Sequence, residues 1–244
     1  MRMTDSHRSN QPLRLRSLRP GEVAQHLRRD ARLIVAVGTT EQHGPHLPLG
    51  CDTIIVDRLA DDLSAEFQVL RAPTLEFGVN ARTTAPYPGS AGVRRKTLHR
   101  MLNDLVGAWE AGGVREFIIL TAHGQDPHQE ALSTLRTRHA TVRTVDIFAG
   151  EDRPVHGGEI DTSLLLYIDA ELVDMTLAQD FDPTPRAVRR YFRGLSRAIP
   201  SDSSGSLGRP TMATRERGAE LYRAIYDRIA TRVFARPAIS PARA

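Results

Sequence analysis

Residues 33–46 read LIVAVGTTEQHGPH, and the two halves of this stretch predict different structures. The first half is a continuous apolar run of strand length that ends at Gly38. Such a run is typical of a strand buried on both faces, as in a parallel sheet that helices cover. The second half is polar and carries metal-binding side chains, so we expect a functional loop at the carboxyl end of a central strand.

A second strong apolar run, FIIL at residues 117–120, leads in the same way to His123. Extended and helical patterns alternate along the rest of the chain. The predicted strands are 33–37, 69–72, 74–77, 117–120 and 142–148, the predicted helices 20–29, 53–66, 96–111, 127–138, 160–168 and 214–234, and the long loops 78–92 and 177–213. This alternation predicts the α/β class, as a three-layer α/β/α domain with a mostly parallel central sheet.

Length and composition restrict the class of protein. The 244 residues suit one α/β domain, placed at 19–236 between a flexible basic leader at 1–18 and a tail at 237–244. No apolar run approaches the roughly 20 residues that span a bilayer, and the N-terminus lacks the apolar segment of a secretory signal. With a single cysteine, Cys51, the sequence predicts a cytoplasmic protein without a membrane partner.

The net charge of +4 raises the alternative of a nucleic-acid-binding protein. The positive charge is almost all arginine, with Lys96 as the only lysine, and acidic residues lie among the arginines along the whole chain. A compositional bias toward arginine explains this pattern better than a basic patch does. We therefore expect no nucleic-acid partner.

Metal-binding side chains occur where predicted strands end. The candidates are Glu41, His43 and Asp52 after the first strand, His123 after 117–120, and His156 and Glu159 after 142–148. Imidazole and carboxylate together suit Zn, Mn or Fe at a hydrolytic site. Two ions roughly 3.5–4 Å apart can share a carboxylate, and Asp52 is the candidate because each of its oxygens can bind one ion.

Each candidate also has an explanation without metal. A histidine after a strand is commonly a hydrogen-bonded loop residue, Glu41 and His43 can pair with each other, and Asp52 fits a helix N-cap. The coincidence of all of them at the strand exits is what favours a metal site.

Several segments, in order, resemble the creatininase family. Residues 37–49, VGTTEQHGPHLPL, followed by Asp52, resemble its long and unusual motif. Further matches are YPGS at 87–90, HG at 123–124, HGGEIDTS at 156–163 and the stretch 205–218, so the resemblance covers about residues 30–235. The family includes creatininase, formamidopyrimidine deformylase relatives and the peptidase that trims the mycofactocin precursor.

The resemblance implies an α/β hydrolase with two divalent ions that acts on cyclic or linear amides and forms a homo-oligomer, often a hexamer. Carried over by position, Glu41, Asp52 and His123 hold one ion. His43, Asp52 and a further acid hold the other. Creatininase has that acid two residues after its loop histidine, where this chain has Gln125, so Glu159 is taken in its place.

The resemblance also makes His156 the candidate for proton transfer to the leaving nitrogen, with orientation of Glu159 as the alternative role. Around the substrate the chain departs from the family, since residues 121–126 read TAHGQD where many relatives have NGHGGN. The substrate-binding candidates are Arg82, Ser90, Gln125 and Asp126, of which Asp126 also fits a replacement ligand or a helix cap.

The sequence therefore predicts a hydrolase in which metal-activated water cleaves the C–N bond of a small cyclic amide, a formamide or a peptide. The alternative is a non-catalytic metal- or ligand-binding scaffold from the same family.

Overall fold

A four-stranded parallel sheet with helices on both faces forms the centre of the computed structural model, which describes residues 11–149, 156–196, 199–200 and 202–235. The strands are β1 (Arg32–Ala36), β2 (Leu70–Arg71), β3 (Glu116–Thr121) and β4 (Thr141–Asp146), in the order β2-β1-β3-β4. In register, Leu33 lies opposite Phe117 and Ala36 opposite Leu120, so β1 and β3 end side by side.

Seven α-helices surround this sheet in the described part of the chain. They are α1 (Pro20–Arg29), α2 (Cys51–Phe67), α3 (Arg95–Ala111), α4 (Asp126–Ser133), α5 (Glu159–Ile168), α6 (Pro185–Phe192) and α7 (Arg215–Ile229), and α7 continues as a π-helix over Ala230–Phe234. Short 3-10 helices cover Leu15–Ser17, Arg82–Thr84, Ala170–Leu172, Met175–Leu177 and Pro210–Met212. None of the described helices combines the length and the apolar character needed to cross a membrane.

The alternation of side chains along the strands divides the core into two layers. Leu33 and Val35 of β1 pack with Phe117 and with apolar residues of α1, α3 and α4. Their neighbours Ile34 and Ala36 point the other way, into a cluster formed by α2, α5 and α7. The sheet is therefore buried on both faces, and the predicted three-layer α/β/α architecture is confirmed.

One predicted strand is absent from the structure, and one predicted helix is clearly shorter. The segment 74–77 is not a strand, because Pro73 has no N–H to donate and only Leu75 bridges to Val37. The helix predicted over 127–138 ends at Ser133. Beyond it, the Glu110 carboxylate accepts backbone N–H groups from residues 138, 139 and 140, which holds them in a turn before β4.

Two segments predicted to lack structure are ordered. α6 lies within the predicted loop 177–213, where the Thr184 hydroxyl caps a helix that begins at Pro185. The predicted leader 1–18 and tail 237–244 fall partly or wholly outside the described residues. Within the leader, however, Leu13 donates its N–H to Ser64 and accepts that of Arg71, so the packed structure begins before residue 19.

Helices α5 and α7 pack so closely that a glycine is required between them. A Cβ atom on Gly218 would lie 1.9 Å from the backbone oxygen of Ser163 and 2.9 Å from the Cβ of Tyr167. By contrast, a Cβ on Gly107, in the exposed interior of α3, would meet nothing within 4 Å. The two glycines form a matched pair, one needed for packing and one not.

We expect Gly218→Ala to lower the free energy of unfolding by about 3 kcal/mol, because the added methyl forces the two helices apart. Gly107→Ala should leave it unchanged or raise it by up to about 1 kcal/mol through better helix propensity. Urea denaturation of both variants measures the difference. Equal stability of the two variants would contradict the α5–α7 packing.

Candidate metal centre

Four of the predicted ligands converge at the carboxyl ends of β1 and β3. Glu41 and His43 lie in the loop after β1, Asp52 lies in the first turn of α2, and His123 follows β3. All four side chains are buried, with Glu41 fully excluded from solvent. The strand register described above brings these separate segments together, because both loops leave the same edge of the sheet.

Asp52 connects the cluster. Its Oδ1 lies 3.2 Å from Nε2 of His43, and its Oδ2 lies 2.9 Å from Nδ1 of His123. The Thr39 hydroxyl donates to the same Oδ2 at 2.7 Å. The approach of α2 to the end of β1 depends on Gly38, where a Cβ would lie 2.3 Å from Oγ1 of Thr53.

Backbone carbonyls fix the orientation of both histidines. His43 donates from Nδ1 to the carbonyl oxygen of Glu41 at 2.8 Å. His123 donates from Nε2 to the carbonyl oxygen of Val79 at 3.1 Å. The other nitrogen of each ring therefore faces the carboxylates, which is the arrangement that backbone acceptors impose on metal-binding histidines.

Glu41 has one carboxylate oxygen satisfied and one free. Oε1 accepts the N–H of Ala81 at 2.9 Å and the hydroxyl of Thr84 at 2.7 Å. Oε2 is buried, finds no hydrogen-bond partner within the described ranges, and lies 3.4 Å from Nδ1 of His123. Ligand atoms of Glu41, Asp52 and His123 all lie within 4.8 Å of one another, so these residues can hold a metal ion.

The buried carboxylates of the cluster are stabilised by positive charge between them. Burial raises the pKa of Glu41 above its usual value. Burial also opposes ionisation of Asp52, but His43 and His123 outweigh it and hold the pKa of Asp52 well below its usual range. Burial lowers the pKa of His43, but the carboxylates of Asp52, Asp161 and Glu41 together outweigh burial and raise the pKa to about 10. A cation among these ligands supplies the charge that protons must otherwise supply.

The predicted ligand Glu159 is not brought to this cluster. Its side chain is 44% exposed at the start of α5, and its nearest charged partner is Arg217, at 3.9 Å. Asp161, two residues on, is buried instead and lines the same cavity as His43, Asp52 and His123. Its Oδ2 accepts the N–H of Gly157 at 2.8 Å, and burial raises its pKa to about 6.

A cavity of about 310 Å³ opens beside the cluster. His156 lines it, with its ring centroid 4.2 Å from that of His43. Tyr191 and Phe192, at the end of α6, form another part of the wall. The cavity can hold a small molecule next to the candidate ligands, in a partly enclosed space.

The four predicted substrate-binding residues are divided between two places. Gln125 and Asp126 line the cavity, the first buried and the second exposed. Ser90 accepts the backbone N–H of Gln42 at 3.0 Å and, with the exposed Arg82, lines a neighbouring groove. Gln125 lines both spaces, so the groove adjoins the cavity.

Residues 17–233 match the creatininase family, described as creatinine amidohydrolase. The chain belongs to the creatininase family. The predicted enzyme class is confirmed with it, since this is a family of amidohydrolases that act on C–N bonds.

Individual relatives agree with the family assignment. The mycofactocin precursor peptide peptidase of Mycolicibacterium smegmatis is 27% identical over 82% of this chain and 83% of its own length. The creatinine amidohydrolase of Pseudomonas putida is 22% identical over 78% of this chain and 83% of its own length. A solved creatininase variant of Zn-Zn type superposes with a TM-score of 0.70 at 19% identity, over 90% of this chain and 98% of the other, which shows a shared fold.

Sequence reasoning missed several residues of this creatininase-family site. Thr39 and Thr84 position the two carboxylates, and α6 supplies the aromatic wall. Threonines in a loop carry no signal of this kind. The sequence offered Asp161 as a candidate, because the 156–163 segment that resembles the family contains two acids. Only the orientation of α5 shows that Asp161, and not Glu159, faces the cavity.

Two adjacent threonines allow a test of how Glu41 is positioned. We expect Thr84→Val to weaken zinc binding about 10-fold, because Glu41 loses a hydrogen bond that orients it. The measurement is competition with a chromogenic chelator. Thr83→Val is the matched control, since Thr83 is also buried but its hydroxyl has no partner in the described structure. Equal zinc affinity of the two variants would refute this role of Thr84.

Proposed function

We propose that this chain hydrolyses the C–N bond of a small cyclic amide, a formamide or a peptide, using two divalent metal ions. The observation that carries the proposal is the buried cluster of Glu41, Asp52 and His123, in which one Glu41 oxygen has no hydrogen-bond partner among the described residues. Leaving a buried carboxylate oxygen unsatisfied costs free energy. A cation bound there removes that cost.

The ligand set divides between two positions that share Asp52. Glu41, Asp52 and His123 would hold one ion, with Oε2 of Glu41 and Nδ1 of His123 as available donors. His43 and Asp52 would hold the other, and Asp161 replaces Glu159 as its acidic ligand because Asp161 lines the cavity beside them. Oxygen and imidazole nitrogen donors suit Zn or Mn, and the Zn-Zn type of the similar creatininase structure agrees with two ions.

Ions at such a site polarise a carbonyl group and make water a nucleophile near neutral pH. The chain supplies the rest of the chemistry. The cavity beside the ligands admits a small amide and is partly closed by Tyr191 and Phe192, which limits access of other water. Orientation of the amide depends on polar groups of the wall, among them Gln125.

Gln42 determines which ring nitrogen of His156 carries the proton. The Gln42 amide has a fixed direction, because its Oε1 accepts the N–H of Gly44 and its Nε2 donates to the carbonyl of Gly205, both at 2.9 Å. The same Nε2 lies 3.2 Å from Nε2 of His156, which must therefore accept. His156 thus carries its proton on Nδ1, and burial, with the neighbouring His43, holds its pKa well below the usual value.

A neutral imidazole with its proton on Nδ1 is a hydrogen-bond donor. His156 in this form can stabilise negative charge on the reacting carbonyl oxygen or donate to the departing nitrogen. The alternative role of His156, the orientation of Glu159, has no support, since the Glu159 side chain is directed toward Arg217.

The activity assay uses the full chain loaded with Zn or Mn and a panel of cyclic amides, formamides and short peptides. We expect turnover of at least one class. Asp161→Asn should lower the metal content from two ions to one and slow turnover about 1000-fold, since several kcal/mol of charge stabilisation are lost at 1.4 kcal/mol per tenfold. Metal content is measured by elemental analysis.

Glu159→Gln is the matched control, an acid two residues away in the same helix, and should keep both ions and full activity. Loss of an ion from Glu159→Gln but not from Asp161→Asn would overturn the ligand assignment. Two bound ions with no turnover of any class would favour the non-catalytic scaffold.

The role of Gln42 has a spectroscopic test. We expect Gln42→Glu, which replaces a donor with an acceptor, to move the His156 proton to Nε2 and to lower kcat about 100-fold. Nitrogen-15 chemical shifts report the tautomer, with His156→Asn to assign the signals. Gln68→Glu adds the same charge at an exposed position and should change neither the His156 tautomer nor kcat. An unchanged tautomer in Gln42→Glu would exclude this role.

A further inference from the structure

A large groove next to the cavity carries an excess of positive charge. This basic groove has a volume of about 910 Å³ and is lined by parts of residues 79–96, with Gln125, Pro127 and residues 194–195. Four of its lining residues are cationic, namely Arg82, Arg94, Arg95 and Lys96, and none is acidic.

Most of this charge is not neutralised within the described chain. Arg95 forms an ion pair with Glu130 at 2.7 Å. Arg82, Arg94 and Lys96 are exposed and have no ion-pair partner in the ranges that the structure covers. Like charges held in one concave surface repel each other and attract anions.

The start of α3 adds to this field. Arg94 is the N-cap residue, its side chain makes no capping hydrogen bond, and the first turn holds no acidic residue. A helix N-terminus carries partial positive charge and free N–H groups, so acids are favourable there and bases are unfavourable. Here the sequence places three consecutive bases at that end, and a bound anion would relieve the conflict.

Gln125 connects the groove to the metal cluster. It is 1% exposed and lines both the groove and the cavity, and its amide lies close to the Tyr191 hydroxyl, although its Nε2 makes no hydrogen bond of ordinary geometry among the described residues. A backbone bond from Ala91 N–H to Thr40 O, 2.9 Å long, fastens the groove to the loop that begins at Glu41. A buried amide and a buried hydroxyl at the junction of two spaces, with no hydrogen bond of ordinary geometry between them, are available to a ligand that passes through both.

We propose that the basic groove binds an anionic group, a carboxylate or a phosphate, on the same substrate whose amide bond reaches the metal cluster. The inference rests on the proposed function for the amide end, but the anion site is defined by residues of its own. Arg82 and Arg94 offer paired N–H groups that match either oxyanion. The substrate is accordingly larger than the cavity of about 310 Å³ and is negatively charged.

Direct binding tests the groove without requiring turnover. Calorimetry on the full chain as purified, with its metals, uses N-acetyl-tetraglutamate and inorganic phosphate as anionic probes and N-acetyl-tetraglutamine as the neutral one. We expect at least one anionic probe to bind and the neutral peptide not to bind. The double variant Arg82→Gln with Arg94→Gln should weaken that binding at least about 10-fold, the effect of losing a charged hydrogen bond.

Arg100→Gln is the matched control, an exposed arginine of the same helix outside the groove, and should change the affinity less than about 2-fold. The probe that binds separates a carboxylate from a phosphate. Four results would overturn the proposal: no anionic probe binds, the neutral peptide binds equally well, Arg100→Gln weakens binding as much, or the double variant binds as the wild type does. If binding behaves as expected while the hydrolysis panel is silent, the proposed function fails and the anion site stands.

Discussion

The structure depends most on the carboxylate of Asp52, which two histidines from different segments share. His43 approaches one of its oxygens and His123 the other, and the Thr39 hydroxyl adds a third contact. Removing that carboxylate would take from both buried imidazoles the counter-charge to which they are hydrogen-bonded, which is expensive at such depth. The close contact of α2 with the end of β1 at Gly38 is the geometric condition for this arrangement.

The cavity and the basic groove carry charges of opposite sign. Acidic side chains concentrate at the buried end, and arginine and lysine side chains, three of them without an ion pair among the described residues, concentrate in the groove. Gln125 lies at the boundary and belongs to both. A molecule with an electron-poor carbonyl at one end and an oxyanion at the other fits this polarity in one direction only, so the same charges that bind it also orient it.

The sequence was sufficient for the features that local pattern controls. The apolar runs 33–37 and 117–120 predicted the two central strands, and the acids and histidines at their ends predicted where a candidate metal cluster lies. The sequence did not show which of the two acids, Glu159 or Asp161, faces the cavity. Two residues along a helix differ by about 200° in direction, and only packing decides which side faces inward.

Long-range contacts account for the remaining differences. The end of α4 is followed by a turn that Glu110 holds from another helix, and no local signal at residues 134–138 shows this. α6 is surrounded by proline and glycine, which hides a helix whose two aromatic residues pack against the cavity. Such elements are stabilised by what they touch, not by their own composition.

α6 contributes to the wall of the cavity but supplies none of the candidate metal ligands. The candidate metal-binding side chains come from strand exits and helix starts inside the core, whereas Tyr191 and Phe192 come from one short surface element between two irregular stretches. Exchange of α6 between homologues would change the shape of the cavity without altering the candidate metal ligands. The shape of the cavity can therefore change through substitutions in α6 alone, while the residues at the strand exits stay in place.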